Sequence, residues 1–559
     1  MKLSNVTIHN FRGIHDASLS LDDYNLLVGP NNAGKSSIID AIRVFYEKDK
    51  FKFTPDRDMP FIAGADQESW VELTFDLSDE EDSSLHEEYR QGNKALRVRK
   101  WLKSDDKNKE GLIFAYKRNG DLSDSPFYGA KNVGSGKFGD IIFIPAVSKV
   151  DEHTKLSGPS ALRDLLTNVL QAVVASSSSY DQFSKAFEAF AEGIKTETTA
   201  DGRSLAGLES DLSALLTSWG ASFQLEMKPP AVADIIKTLL SYQCIDSAHG
   251  KALAADQFGS GFQRHFIYSL IQIGAKYVEK KPSKKTKDFT PSMTLILFEE
   301  PEAFLHPPQQ EILAESLATF GSRCDQQVMC STHSSHFVSR SADHIPAIAR
   351  VQRNNGRVLV KQIDRKTWNE IVDANQVINK IAEKWPRLAK TLEADDRKPE
   401  MEAVKYFLWL NPDRCGMFFA NHVLIVEGPS EQALINKLLG DRRIKRPADG
   451  LYVLHGMGKY NIHRFMNLLT HMGISHAVLH DDDRGKDEHA DLNQLIMNSR
   501  SSITRSVKAI AGNLENLLGV PAPKSDHRKP QHLLYLYENG GITQDKLREF
   551  CAIIESCFS

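Results

Sequence analysis

The sequence predicts an α/β protein built on parallel sheets, and three observations point there. A glycine-rich turn, Gly29-Pro-Asn-Asn-Ala-Gly34-Lys35-Ser36, sits between a short apolar run and an amphipathic segment. Two further apolar runs, Met293–Phe298 and His422–Val426, lead straight into carboxylates. From residue 422 onward apolar strands alternate with helical periodicity, which implies crossover connections and hence parallel strands.

The bulk properties set the frame. A chain of 559 residues accommodates three or four domains at roughly 100–200 residues each. With 41% hydrophobic and 25% charged residues, the composition is that of an ordinary globular protein. Lys and Arg number 69 against 73 Asp and Glu, a formal charge of −4. That balance excludes a uniformly basic nucleic-acid coat and a highly charged disordered chain, but not a local basic groove. No stretch approaches the roughly 18 consecutive apolar residues of a membrane helix, so no membrane partner is expected. The opening MKLSNVTIHNFRG is too polar for a signal peptide, and six cysteines without a C-x-x-C pair suit reduced thiols. A cytoplasmic protein is the expectation.

Taken in order, residues 1–154 form the first part of a nucleotide-binding domain. Val6-Thr7-Ile8 alternates as a strand does, and Tyr24–Val28 is a buried one. Ile38, Ile39, Ile42, Phe45 and Tyr46 fall at helical spacing behind the glycine turn. Further strands are expected at 69–76, 111–117 and Asp140–Pro145. Residues 155–240 read as a helical insertion, with helices near 159–175, 181–195 and 204–217. The domain resumes over 241–364: a helix at 262–279, a basic loop at Lys280–Lys287, a strand at Met293–Phe298, a helix from about 308 and a strand near 326–330. Residues 365–415 are a polar helical connector. The second α/β domain, 416–559, begins with HVLIV and continues through a helix at 430–440, YVLHG, a helix at 462–472 and SHAVLH.

The glycine turn fits G-x-x-x-x-G-K-[ST], whose chemistry depends on its spacing. Glycines let backbone N–H groups wrap phosphates while the following helix turns its positive end toward them. ATP is therefore expected against Asn31, Asn32, Gly34, Lys35, Ser36 and Ser37. Lys35 reaches the outer phosphates, and Ser36 ligates Mg²⁺. Thr294–Pro301 supplies the second half: Glu299 on the metal side and Glu300 as general base. His333, just after another apolar strand, is the expected sensor of the terminal phosphate.

At the other end, EGPSE follows an apolar strand and DDD follows another about fifty residues later. Groups at the carboxyl ends of parallel strands converge on one crevice. Glu427, Asp481 and Asp483 should therefore meet, with Asp482 turned away by strand alternation. Their mutual repulsion would be offset by Mg²⁺ or Mn²⁺. Taken alone, DDDRGKDEH is a solvated loop, and it lacks the acidic twelfth ligand of an EF-hand.

Asp256-Gln-Phe-Gly259-Ser260-Gly261 resembles the signature of the ABC ATPase superfamily. In that superfamily such a helix start binds ATP held by a second subunit, so the resemblance implies roles for Ser260 and Gly261. Asn10-Phe11-Arg12, EEPEAFLHP and STH extend the likeness, and Arg12 joins the ATP-binding set. The likeness is to the branch containing RecF, SMC proteins and overcoming-lysogenization-defect (OLD) ATPases. The chain departs from the pattern in lacking a Gln after Ile144 and in carrying Glu299 where Asp is usual, departures compatible with slow hydrolysis.

The C-terminal elements are similar to a Toprim domain, with Leu454-His-Gly456-Met-Gly458-Lys459 resembling its glycine turn. An ABC-type ATPase followed by Toprim resembles the OLD-family nucleases, which include phage-defence effectors. The resemblance implies further metal ligands at Glu431 and Glu515, and a catalytic lysine at Lys529, with Lys524 and Lys546 as alternatives. It implies metal-dependent cleavage of DNA regulated by ATP, and a homodimer or larger homo-oligomer joined through the helical insertion and the ATPase heads. A defence-system partner, protein or nucleic acid, is also implied. The rival expectations are cleavage of RNA such as transfer RNA, or a RecF- or SMC-like scaffold that does not cut. Lys280–Lys287 is a candidate DNA guide.

Overall fold

The structure is a computed structural model describing residues 1–558 except 63–65, 129–136, 147–148, 157–159, 175–176, 278–288, 290, 292, 340–341, 392–396, 449 and 484–486. The basic loop Lys280–Lys287 lies outside the described residues. The chain divides into two compact units, Met1–Ala146 with Ser283–Ser559, and Val147–Pro282.

The larger unit holds two sheets. The first has eleven strands: β1 (Lys2–Phe11), β2 (Ile14–Ser20), β3 (Tyr24–Val28), β4 (Ser69–Asp76), β5 (Ala95–Lys103), β6 (Ile113–Ala115) and β7 (Asp140–Ile144). After β8 (Cys244–Asp246) and β9 (Lys251–Leu253), a hairpin of the smaller unit, come β10 (Thr294–Glu299), β11 (Gln326–Ser331), β12 (Ile348–Asn354) and β13 (Arg357–Gln362). The spatial order is β6-β5-β4-β1-β2-β13-β12-β3-β11-β10-β7. The block from β12 to β7 is parallel throughout. Every residue of β3 and β11 is buried, as expected of strands covered on both faces. Because β3, β11 and β10 are adjacent and parallel, the glycine turn, His333 and the Glu299–Glu300 pair emerge from the same sheet edge.

Besides the β8–β9 hairpin, five strands of the larger unit lie where the sequence suggests none: β2, β5, β12, β13 and the strand at Thr504–Ile510. Their periodicity is masked by charge. In β5, Arg97 and Arg99 both bond Glu72 of β4, which also accepts from the Tyr116 hydroxyl at 2.6 Å. Arg99 lies over the Trp70 ring at 3.8 Å. These cross-strand contacts hold a polar strand in place only once its neighbour is there.

The second sheet is β15-β14-β16-β17, all parallel: β14 (His422–Val426), β15 (Tyr452–His455), β16 (Ser475–Asp481) and β17 (Thr504–Ile510). Leu424, Val426, Leu434, Leu438, Leu479 and Phe550 belong to its buried core. The connector helices dock through Glu402, which is buried and accepts from Arg464 Nε at 2.9 Å and Nη2 at 2.8 Å.

In the smaller unit, helix Ala161–Val174 packs on helix Ser260–Tyr277. The division at Val147 and Pro282 differs from the expected 155–240 insertion. It adds the Ser260 helix, because that helix supplies the packing face for its neighbour. Leu215 and Trp219 are 75% and 84% exposed.

Candidate functional site

At the glycine turn, backbone conformation and packing together demand the residues present. Gly29 has φ +139°, and a Cβ there would come within 2.0 Å of the Val351 carbonyl oxygen. Gly34, at φ +108°, would place one 2.6 Å from Val358. Both contacts come from the β12–β13 hairpin, which presses on the turn from outside. Asn32 takes φ +59°, so successive N–H groups curl inward. Lys35 is buried and donates to the carbonyls of Gly29 and Pro30, each at 2.9 Å. Burial lowers its pKa to about 8, against the opposing pull of Glu300 and Glu302.

Asn31 to Ser37, Glu300, Ser331 and His333 line a cavity of about 560 Å³. Ser36 shares a hydrogen bond with the Glu299 carboxylate, whose pKa is raised by burial. Glu300, at φ +44°, lies with Oε1 3.5 Å from His333 Nε2. The inward-curled turn, a lysine at its base and carboxylates opposite suit ATP with a divalent ion. Arg12 lines a smaller neighbouring hollow of about 220 Å³ with Asn32, Gly34 and Ser37. Its guanidinium is paired with Asp40 at 2.7 Å and Asp58 at 3.0 Å. Ser260 and Gly261 open their helix in the smaller unit. Glu302, to which the sequence reading gives no role, accepts the His333 N–H at 2.6 Å and so orients that loop.

The second site lies at the carboxyl ends of β14 and β16. Glu427 Oε2 accepts the Asp481 N–H at 3.3 Å. Burial raises the Glu427 pKa to about 7; Lys459 opposes the shift, while Glu431 and Asp483 add to it. Asp481 rises to about 8, first by burial and then by the charges of Glu427, Glu431, Asp483 and Glu515. Glu431, in the first turn of helix Pro429–Gly440, accepts the Gly428 N–H at 3.0 Å. Glu515, buried in helix Leu514–Leu518, repels Glu431 and lies 3.8 Å from Lys529 Nζ.

Asp483 does not reach the cluster by strand alternation. β16 ends at Asp481, and Asp483 turns in through φ +52°. Asp482 is diverted as expected, its Oδ1 accepting the Gly512 N–H at 2.6 Å. A second lysine, Lys459, which the sequence reading gives only as the end of the glycine turn, also enters the cluster, while Lys529 stands beside Glu515. Lys459 is buried and donates to the Asp481 carbonyl at 2.6 Å and to Asp483 Oδ2 at 3.1 Å. His489 Nδ1 lies 2.8 Å from the same oxygen. The sequence signal for Lys459 is a lysine closing a glycine turn after an apolar strand.

Among the described residues, no group of three or more His, Cys, Asp or Glu side chains closes into a metal-ligating shell. The acids are neighbours held apart: Asp483 is drawn to Lys459 and His489, and Glu431 to the Gly428 N–H. The donor set nevertheless fits a hard divalent cation. It consists of carboxylate oxygens, and Asp481 Oδ1 is buried without a hydrogen-bond partner.

Comparison with known proteins follows the same division. Residues 1–132 and 129–338 match the family model described as an AAA ATPase domain. Residues 418–483 match the Toprim domain of overcoming-lysogenization-defect-like proteins. The Old nuclease of Escherichia phage P2 is 26% identical over 506 residues, 86% of this chain and 77% of its own. Endonuclease GajA of Bacillus cereus (strain VD045) is 24% identical, over 86% of this chain and 75% of its own. The OLD nuclease of Thermus scotoductus is 22% identical over 99% of this chain and 98% of its own. With the ATPase match spanning more than half of the chain and the Toprim match following it, the protein belongs to the OLD family, an ATPase domain joined to a Toprim domain.

Proposed function

We propose that the protein is an ATP-regulated, divalent-metal-dependent endonuclease that cuts or nicks DNA, and that it is the effector of an anti-phage defence system. The observation that carries this reading is the unpartnered, buried Asp481 oxygen at strand ends where the charges of Glu427, Glu431, Asp483 and Glu515 all bear on Asp481. The nuclease names of the relatives support the reaction, and the resemblance drawn from the sequence motifs supports the setting.

These five carboxylates would hold one or two Mg²⁺ or Mn²⁺ ions, which when bound supply an activated water and stabilise charge at the phosphate and the leaving oxygen. Lys459 and His489 fix Asp483, and Lys459 also anchors the Asp481 backbone, so the acids keep their places before a substrate arrives. Lys529 would steady Glu515 and meet the substrate phosphate. In the ATPase domain, the turn amides and Lys35 would bind the phosphates of ATP. Ser36 and Glu299 would hold its magnesium ion, Glu300 would accept a proton from water, and His333 would read the terminal phosphate. Arg12 would contribute from the adjacent hollow. Ser260 and Gly261 would complete the site of a second copy, joined through the helical unit whose exposed Leu215 and Trp219 suit such a contact.

Plasmid DNA and total RNA, incubated separately with Mg²⁺ or Mn²⁺ and with or without ATP, test the reading. Nicking of DNA that disappears in Glu427→Ala and Asp481→Ala proteins is the expected outcome. Full nicking by either variant, or cleavage of RNA alone, overturns it.

A further inference from the structure

The two sites are linked by atoms whose positions no motif explains. Arg350, on β12, is 1% exposed yet carries a full guanidinium. Its Nε donates to the Phe418 carbonyl at 3.2 Å and its Nη2 to that of Ala420 at 2.9 Å. Nη1 donates to the carbonyls of Gly473 at 3.2 Å and Met472 at 3.4 Å, and to Gln352 Oε1 at 2.6 Å. The four carbonyls belong to two short segments, one leading into β14 and the other into β16. Those strands end at Glu427 and Asp481. Gly473 makes the approach possible: at φ +65°, a Cβ would lie 2.9 Å from Lys361 of β13.

The other end of this joint is the nucleotide site. Arg350 pairs with Val28, the last residue before the glycine turn. Its neighbour Val351 presses its carbonyl against Gly29, whose own carbonyl accepts from Lys35. A phosphate that draws Lys35 off Gly29 therefore disturbs a turn with no slack against β12. A second contact runs in parallel: the His333 ring lies 6.4 Å from that of Phe419, the residue between Phe418 and Ala420, two of the four whose carbonyls Arg350 holds. β14 and β16 are paired from His422–Ser475 to Val426–Leu479. A shift at their amino ends thus moves both strands, and the acids at their carboxyl ends, as one piece.

We infer that Arg350 and Phe419 are positioning residues for the Toprim site, passing the state of the ATP cavity to Glu427 and Asp481. This rests on the proposed function for its consequence, since it names the route by which ATP regulates cleavage. Neither residue touches phosphate or the acids, so each is separable from both chemistries.

The test uses the full-length protein as wild type, Phe419→Ala, Phe419→Tyr and Arg350→Lys. Three quantities are measured: the ratio of plasmid nicking with and without saturating ATP, the affinity for ATP, and hydrogen exchange in 412–427 with and without a non-hydrolysable ATP analogue. Couplings between sites are commonly about 5–150-fold. Phe419→Ala should bring the nicking ratio to within about two-fold of one, at unchanged ATP affinity and unchanged ATP-free nicking. It should also remove the exchange response of 412–427, and Phe419→Tyr should restore both. Arg350→Lys, which keeps the charge but cannot span four carbonyls, should weaken the response in the same direction. A wild-type response retained in Phe419→Ala and Arg350→Lys overturns the inference. If the wild type cuts no DNA, the proposed function falls instead. The exchange response then decides the joint by itself: its loss in Phe419→Ala supports the joint, and its persistence overturns it.

Discussion

Lys459 shows how much one side chain can organise. It is buried beside the ends of β14 and β16, and it bonds both a backbone carbonyl and a carboxylate there. Lys459→Met should leave a cluster of like charges without its buried ammonium between Asp481 and Asp483. We expect DNA nicking to fall by at least about ten-fold, since a change of roughly 1.4 kcal/mol in the barrier suffices. Lys459→Arg should recover only part, because a planar fork cannot occupy the place of a compact ammonium. Nicking rates at saturating Mn²⁺ check both. Asp481 and Glu427 yield a pH prediction. Their folded pKa values, about 8 and about 7, exceed the ordinary 3.8 and 4.5. The folded state therefore holds more protons than the unfolded one in that window. Their favourable contribution is complete below about pH 4 and is lost as pH rises toward 7 or 8. In EDTA, the melting temperature should decline across that range, and Asp481→Asn should flatten the decline. An unchanged slope would remove the basis for the raised pKa values.

Among the elements, the glycine turn and the β12–β13 hairpin must be considered together. The turn motif is plain in the sequence, and its strand and helix fall where periodicity puts them. The hairpin is not legible, because Arg350 sits inside the buried run of β12 and Arg353, Asn354, Arg357 and Lys361 stand exposed around it, so it resembles a polar loop. Yet it is this hairpin that leaves no room for a side chain at Gly29. Gly29→Ala should cost at least about 1–3 kcal/mol from the left-handed backbone alone, and more from the contact with Val351. We expect a lower midpoint in urea and loss of ATP binding, measured by denaturation and by calorimetry. The acid-bearing elements divide in the same way. Strand ends at Glu427 and Asp481 can be read from short apolar runs meeting acids. The inward turn of Asp483 depends on a positive φ and on Lys459 and His489, which lie far apart in sequence.

For the whole molecule, the helical unit carries the prediction. Leu215 and Trp219 stand exposed in a chain with ample core elsewhere, which suits a surface covered by a second copy. The protein should sediment as a dimer or larger species at micromolar concentration, and a Leu215→Asp, Trp219→Asp double variant should shift it toward monomer. A wild type that stays monomeric would remove that role. The sequence by itself determined the two chemistries. A phosphate-binding turn and acids at strand ends are local patterns, set by residue type and spacing. Tertiary structure decided which lysine enters the acid cluster, which hairpin shapes the turn, and how the sites communicate. Those outcomes depend on contacts such as Arg350 with Phe418, Ala420, Met472 and Gly473. An arginine in a strand and a few backbone carbonyls have no sequence signature. Only folding brings them within bonding distance.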